Sequence, residues 1–175
     1  MSFVESLDEP VLAELYSYWQ DRCHGCRAPS RADIDPIDIP HLLPHIALTE
    51  IVRSEDGNTT RIRYRLAGTE VERRFGCALT NRYLDELKTD PYLDYIMGLY
   101  DRMMAEMMPL YSENSFHTDH GDTLRAKRLM LPLSDDQETV NMVLAALVYV
   151  DSDPNDRSTV LRSKKPFSTV GPDTL

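Results

Sequence analysis

The sequence predicts one α+β domain: a five-stranded antiparallel sheet whose helical cover is inserted between the second and third strands, preceded by an amphipathic N-terminal helix. Two observations predict it, the order of strand and helix patterns and a last strand that is apolar on both faces. The 175 residues fit one domain of about 100–150 residues with extensions. We expect residues 1–29 to hold the N-terminal helix, 30–150 the domain and 151–175 a polar tail.

The N-terminal helix begins after Asp8, with Pro10 in its first turn, where a missing backbone N–H costs least. Apolar residues recur at helical spacing to about Arg22 and form one apolar face. This face either covers the helix's own sheet or pairs with a second copy of the chain, and we favour a homodimer. The predicted partner surface on this helix consists of Leu15, Tyr18 and Trp19.

Residues 30–45 form a structured connector to the sheet. Pro36, Pro40 and Pro44 each bias the preceding residue away from helical angles, so that only short turns fit between them. We expect one helical turn near residues 40–43.

A β-hairpin follows, with strands at residues 46–52 and 60–66 joined by a turn at Gly57 and Asn58. Its second strand alternates Ile62, Tyr64 and Leu66 with Arg61, Arg63 and Arg65. The basic face is either paired with carboxylates or receives the acidic edge of a partner protein. Arg125 and Lys127 would extend it if their strand lay alongside.

The helical cover starts with a short helix that has Thr69 as its cap and Gly76 as its left-handed stop. A turn covers residues 80–87, and the longest helix runs from its cap Asp90 to Met107. A concave sheet beneath such a cover leaves a pocket. The predicted pocket residues are Tyr64, Leu66, Phe75, Leu79, Tyr83, Ile96, Tyr100 and Met103.

The remainder predicts a meander of three strands at residues 110–118, 124–133 and 140–150. The last of these is apolar on both faces, which is typical of a central strand covered on both sides. We therefore expect its neighbours to be the inner strands of the sheet.

Composition limits the partners. The formal net charge of −10 disfavours a nucleic acid or an anionic membrane surface, since both require clustered cations. No apolar run approaches the ~20 residues of a membrane span, and the N-terminus has no signal-peptide pattern. An odd number of cysteines, three, does not suit a disulfide scaffold. We expect a cytoplasmic protein without bound nucleic acid or membrane insertion.

Three stretches resemble a bacterial family built on a single PAS-like domain. They are Ser30–Pro44 with its spaced prolines, Tyr64–Thr69, and Phe75–Thr80, and the likeness runs from about residue 12 to 150. The resemblance implies a PAS fold, which senses small ligands, light or redox state, or mediates dimerisation and partner docking. It favours a stand-alone regulatory module that binds a ligand or a signalling partner and is not an enzyme. Two departures from the family pattern are Asn81 in place of a glycine, and Cys-His-Gly-Cys at residues 23–26.

The cofactor stays unknown at this stage. PAS-like haem proteins take an axial histidine from the cover, and none lies between residues 46 and 116; the Asn-Cys-Arg-Phe photosensor motif is also absent, so Cys77 stands alone. Cys23 and Cys26 are most simply ordinary thiols, and the alternatives are half of a zinc site or a redox pair. We predict no metal and no catalytic residue.

Two rival functions remain open. A small enzyme of the cone-shaped isomerase or dehydratase type would need a carboxylate in the pocket, for example Asp85 or Glu113. A purely structural dimerisation domain would instead have a filled core. The pocket volume discriminates between the ligand-binding module and the structural domain.

Overall fold

The computed structural model describes residues 3, 7–57, 60–87, 92–117 and 123–151, without the side chains of 115–117, 123, 124 and 151. Its strands are β1 (Ile46–Arg53), β2 (Thr60–Ala67), β3 (Leu110–His117), β4 (Thr123–Leu133) and β5 (Met142–Asp151). Its helices are α1 (Pro10–Cys23), α2 (Thr69–Phe75), α3 (Leu84–Leu87) and α4 (Tyr92–Glu106). Asn58 of the predicted hairpin turn, the predicted cap Asp90, residues 118–122 after the third predicted strand and the tail from residue 152 lie outside the described residues. No helix in these ranges has the length and apolar character needed to cross a bilayer.

The five strands form one antiparallel sheet in the order β2-β1-β5-β4-β3, with α2, α3 and α4 between β2 and β3. The predicted fold class is confirmed. The last strand is central as predicted, because each residue from Val143 to Leu147 is at most 5 % exposed. Both faces of β5 are therefore covered, one by α1 and the other by the inserted helices.

Helix α1 covers its own sheet. Leu12 and Leu15 are fully buried, and the Trp19 indole donates a hydrogen bond to the Pro132 carbonyl of β4 at 2.9 Å. The prediction that Leu15 and Trp19 face a partner is therefore wrong, since the sheet occupies their face of the helix. Tyr18 lies at the margin, where its hydroxyl contacts Asp38.

The start of α1 also differs from the prediction. Its N-cap is Glu9, which makes no side-chain capping bond, and the Asp8 carboxylate instead accepts a bond from Lys127 at 2.6 Å. Glu9 accepts a second bond from the same ammonium at 2.7 Å. Lys127 thus ties the beginning of α1 to β4 and points to the α1 face of the sheet.

Strand β2 contains a bulge. Leu48 pairs with Leu66, whereas the next residue, Thr49, pairs with Tyr64, so Arg65 is the extra residue. An extra residue reverses the alternation of side chains beyond it. Tyr64 therefore faces the cover, whereas Leu66 faces the opposite side and is 38 % exposed.

The connector between α1 and β1 contains short helical turns at Arg31–Asp33, Pro36–Asp38 and Leu43–His45. Short turns between the prolines were predicted, and the turn expected near 40–43 leads into the last of them. The last turn packs against Gly68, the N-cap of α2, whose N–H donates to the Ile46 carbonyl at 2.7 Å. Thr69 is the first residue of α2 and not its cap. Two of the stretches that resemble the PAS-like family are thus in direct contact.

The segment that follows α2 closes the free edge of β2. Gly76 is the left-handed stop of α2, as predicted, with φ of 78°. Asn81 has φ of 67°, a conformation that asparagine tolerates better than most residues. Its N–H donates to the Tyr64 carbonyl at 2.7 Å, and the Tyr64 N–H donates to Arg82. Asparagine thus adopts here the backbone conformation for which glycine is usual.

Candidate ligand cavity and partner surface

A small cavity lies between the sheet and the inserted helices. Its free volume is about 20 Å³, which is room for a water-sized molecule. The sheet contributes Ala47, Thr49, Tyr64, Arg128, Met130, Ala145 and Leu147 to its wall. The cover contributes Val71, Phe75, Tyr92, Ile96 and Tyr100.

Four of the eight predicted pocket residues line this cavity, namely Tyr64, Phe75, Ile96 and Tyr100. The other four lie elsewhere. Leu66 is turned away by the bulge, and Leu79 and Met103 are fully buried in other parts of the core. Tyr83 lies at the outer edge of β2, where the Arg61 guanidinium covers its ring at 3.8 Å.

The tyrosine hydroxyls of the cavity wall are polar but uncharged. The Tyr100 hydroxyl hydrogen-bonds to the Thr49 hydroxyl at 2.7 Å, which joins α4 to β1. Burial raises the pKa of Tyr100 to about 12 and also raises the pKa of Tyr64 and Tyr149. These phenols remain protonated at neutral pH.

Arg128 is the residue that sequence reasoning missed. It is 5 % exposed, and its guanidinium donates to the Tyr92 hydroxyl at 3.0 Å and to the Asn114 side-chain carbonyl at 3.3 Å, with Ser112 Oγ at 3.5 Å. No carboxylate among the described residues forms an ion pair with it. Arginine stays charged in proteins, so a full positive charge stands in the cavity wall.

The predicted basic face of β2 is largely paired with carboxylates. Arg61 donates to Asp85 at 2.9 Å and to Glu86 at 3.1 Å, and its hydrogen bonds lower the pKa of Asp85. Arg63 binds Glu50 at 2.5 Å. Arg65, the bulge residue, is 3.7 Å from the same carboxylate and is 45 % exposed.

Arg125 and Lys127 do not extend this face, because β4 is three strand spacings from β2, about 14 Å away. Arg125 pairs with Glu113 at 2.5 Å on the α1 side of the sheet. Neither carboxylate of the enzyme alternative therefore enters the cavity, since Asp85 binds Arg61 and Glu113 binds Arg125. The described lining contains neither carboxylate nor histidine.

Cys23 and Cys26 border a separate open groove of about 390 Å³, together with Trp19, Met107 and Pro109. Burial, with the Cys26 thiol beside it, raises the pKa of Cys23 to about 12. A protonated thiol is a poor nucleophile and a poor metal ligand. Within the described ranges, no group of three or more histidine, cysteine or acidic side chains could hold a metal ion.

An antiparallel sheet with helices inserted between its second and third strands, and a small cavity beneath them, defines the class of this α+β domain. The model of the PAS domain family matches residues 7–148, and the chain belongs to this family. The match includes α1, the connector and all five strands.

Similar solved structures are light-oxygen-voltage proteins. The LOV protein of Rhodobacter sphaeroides has a TM-score of 0.45 and 9 % identity over 63 % of this chain, which spans 61 % of that chain. An RNA-binding light-oxygen-voltage receptor has a TM-score of 0.42 and 17 % identity over 70 % of this chain and 36 % of its own. Comparison with curated proteins gave no match.

Proposed function

We propose that this chain contains a regulatory PAS-like domain of the bacterial cytoplasm, in which occupancy of the central cavity controls the docking of a signalling partner. The observation that carries the proposal is the construction of the cavity wall. Two polar contacts, Tyr100 with Thr49 and Tyr92 with Arg128, join α4 to the sheet across the cavity. A ligand that competes for either contact changes the position or stability of α4.

A change in the cavity can reach the outer face of β2 through Tyr64. Tyr64 lines the cavity, and its backbone carries both hydrogen bonds to Asn81 and Arg82 that hold the covering segment on β2. Arg61 and Arg63, on either side of Ile62 in the same strand, bind carboxylates on the outside. A ligand shifts a conformational equilibrium only if it contacts the two conformations differently. Tyr64 can transmit such a difference because its side chain lines the cavity and its backbone holds the segment at the edge of β2.

We propose the outer face of β2 as the partner surface. Arg61 and Arg63 are already paired with carboxylates, so Arg65, which is 3.7 Å from Glu50 and 45 % exposed, supplies the available positive charge. Leu66 adds an exposed apolar side chain beside Arg65. A partner with an acidic edge matches this combination. The partner surface on α1 is reduced to Tyr18. The predicted homodimer would have to use these exposed residues instead of the buried face of α1.

A second candidate is a structural dimerisation domain with a filled core. The volume of about 20 Å³ favours it, because drug-sized ligands occupy pockets of about 300–1,000 Å³. An enzymatic role has less support, since the described lining offers a guanidinium and tyrosines but no general base of ordinary pKa.

The test uses full-length protein isolated from cells without denaturation. Native mass spectrometry looks for a bound small molecule, and hydrogen exchange compares α4 and residues 79–83 before and after the molecule is removed by dialysis. We expect exchange in both segments to increase. The variant Ala145→Val fills the cavity and should abolish the difference, whereas Ala105→Val adds the same atoms to the exposed side of α4 and should preserve it.

A protein that carries no ligand, and whose α4 exchanges at the same rate before and after dialysis, would overturn the sensory proposal. Sedimentation of a dimer under the same conditions would then favour the structural candidate.

A further inference from the structure

Among the described residues, no carboxylate balances the charge on Arg128. Lys127, its neighbour on β4, has two carboxylates within 2.7 Å, and Arg125 has Glu113 at 2.5 Å. Of these three cations on β4, Arg128 is the one that is buried on the cover side of the sheet. Its hydrogen-bond partners, Tyr92, Ser112 and Asn114, are all neutral. A buried charge without an opposite charge costs several kcal/mol, so a counter-ion is expected at this position.

A second polar group beside Arg128 is also unsatisfied. Asn114 is 4 % exposed, and its Nδ2 atom has no hydrogen-bond partner in the described part of the chain. Its Oδ1 atom accepts the Arg128 bond, which sets the orientation of the amide. Because both amide atoms belong to one small planar group, Nδ2 is a free donor next to the guanidinium. A buried donor left unpaired destabilises the folded chain.

The tyrosines do not supply the missing negative charge. Tyr64, Tyr92, Tyr95 and Tyr149 surround the guanidinium, and burial raises the pKa of Tyr64 and Tyr149. The Tyr92 hydroxyl accepts the Arg128 bond. A water molecule could satisfy Asn114 but would leave the charge unbalanced. An anion satisfies both groups.

We propose that a small planar oxyanion, such as formate or nitrite, binds at the Arg128 end of the cavity, between Arg128 and Asn114, which contacts Arg128 from outside the cavity lining. This inference rests on the proposed ligand-sensing function and names its ligand class. The size limit follows from the free volume of about 20 Å³, which holds about one water, together with the space that the Tyr92 hydroxyl vacates when the anion replaces it on Arg128. The planar shape follows from the guanidinium, whose N–H groups pair with two oxygens of one flat group. The oxyanion accepts from Arg128 and from Asn114 Nδ2, and it competes with the Tyr92 hydroxyl that links Arg128 to α4.

The test measures thermal unfolding of the full chain with sodium salts of formate, nitrite, nitrate, acetate and chloride at constant ionic strength. We expect a saturable rise in Tm with formate or nitrite, about 5–10 °C at 100-fold excess over Kd. The rise should decrease from formate to acetate, because the extra methyl group exceeds the cavity.

Two variants and a control locate the site. Arg128→Met should remove the anion-dependent rise, and Asn114→Asp should do the same because it places a carboxylate against Arg128. Asn114→Asp replaces only the amide nitrogen by an oxygen, so it keeps the test valid if Arg128→Met fails to fold. The Tm of Asn114→Asp without added anion should exceed that of the natural protein. Arg125→Met, on the same strand and the opposite face, should retain the full rise.

An equal rise in Asn114→Asp, or no saturable rise with any of the anions, would overturn the anion site. The outcome for the sensory function is separate. If the protein isolated from cells carries a neutral molecule while the anions have no effect, the ligand class is wrong and the sensory role stands. If the cavity holds nothing and α4 does not respond, both fail.

Discussion

Gly68 lies so close to the connector that a Cβ atom on it would be 2.0 Å from the Leu43 carbonyl oxygen and 2.4 Å from that of Pro44. No backbone tolerates such a contact without moving. We expect Gly68→Ala to displace the connector from α2 and to lower the free energy of unfolding by about 3 kcal/mol. Urea unfolding followed by circular dichroism measures the change.

Gly98 provides the control for this substitution. It lies within α4, and a Cβ atom there would meet nothing within 4 Å. Gly98→Ala should leave stability unchanged or raise it by up to about 1 kcal/mol, since alanine favours a helix. Equal destabilisation by the two substitutions would contradict the close approach of the connector.

Much of the fold could be predicted from the sequence, but the contact at Gly68 could not. Proline at position 44 restricts the backbone locally, and the apolar composition of residues 143–147 already indicates a strand that is buried on both faces. Strand order and the inserted cover follow from such local signals. Contact between the connector and α2 does not, because it joins segments that are distant in the sequence.

The site was harder to predict for a similar reason. The sequence alternates apolar and basic residues without interruption, and this pattern predicts that Leu66 points into the pocket. The bulge at Arg65 reverses which side of the sheet the following residues face, so Leu66 points the other way. Lys127 and Arg128 are adjacent cations, and one of them must face the cavity. Lys127 binds Asp8 and Glu9, almost 120 residues away, on the α1 face of the sheet. Its neighbour Arg128 therefore faces the cavity.

The packing of α1 on its own sheet leads to a second prediction. Trp19→Phe keeps an aromatic ring but leaves the buried Pro132 carbonyl without its donor, which costs about 1–3 kcal/mol. The loss should appear in the unfolding of the chain at every protein concentration. Tyr18→Phe is the control, because it loses only exposed hydrogen bonds and should cost under about 1 kcal/mol.

If α1 instead belonged to a dimer interface, Trp19→Phe would act on self-association. Sedimentation would then show weaker dimerisation, and the loss of stability would vary with protein concentration.

Alkaline pH should unfold the protein through its buried tyrosines. Burial raises the pKa of Tyr100 from 10.0 in an exposed side chain to about 12. The folded chain therefore holds a proton that the unfolded chain releases, so the contribution of Tyr100 is complete below pH 10 and is lost as the pH rises towards 12. Tyrosinate absorbance and circular dichroism, recorded in one titration, should change together.

Tyr100→Phe removes one of these delayed ionisations, and its stability should fall less steeply between pH 10 and 12. It also removes the bond to Thr49, so at neutral pH it should be less stable by about 1 kcal/mol. Full ionisation of all tyrosines in the folded state at pH 11 would contradict the burial of Tyr64 and Tyr100.

The two arginines that share Glu50 should differ in their coupling to it. Arg63 is in direct contact with this carboxylate at 2.5 Å, whereas Arg65 is 3.7 Å away and more exposed. Double-mutant cycles with Glu50→Gln should give about 0.5–1 kcal/mol for Arg63→Gln and close to zero for Arg65→Gln. Guanidinium chloride screens ion pairs, so the cycles should be measured in urea.

The weak coupling of Arg65 makes it the arginine most available to a partner. Arg65→Glu should therefore leave the unfolding free energy within about 0.5 kcal/mol of the natural protein and weaken partner binding or self-association at least tenfold, since it reverses a charge that meets an acidic edge. Affinity measured at low and at physiological salt checks this, because a rim charge changes the salt dependence. If Arg65→Glu binds as tightly as Arg125→Glu, on the distant strand β4, the outer face of β2 is not the docking surface.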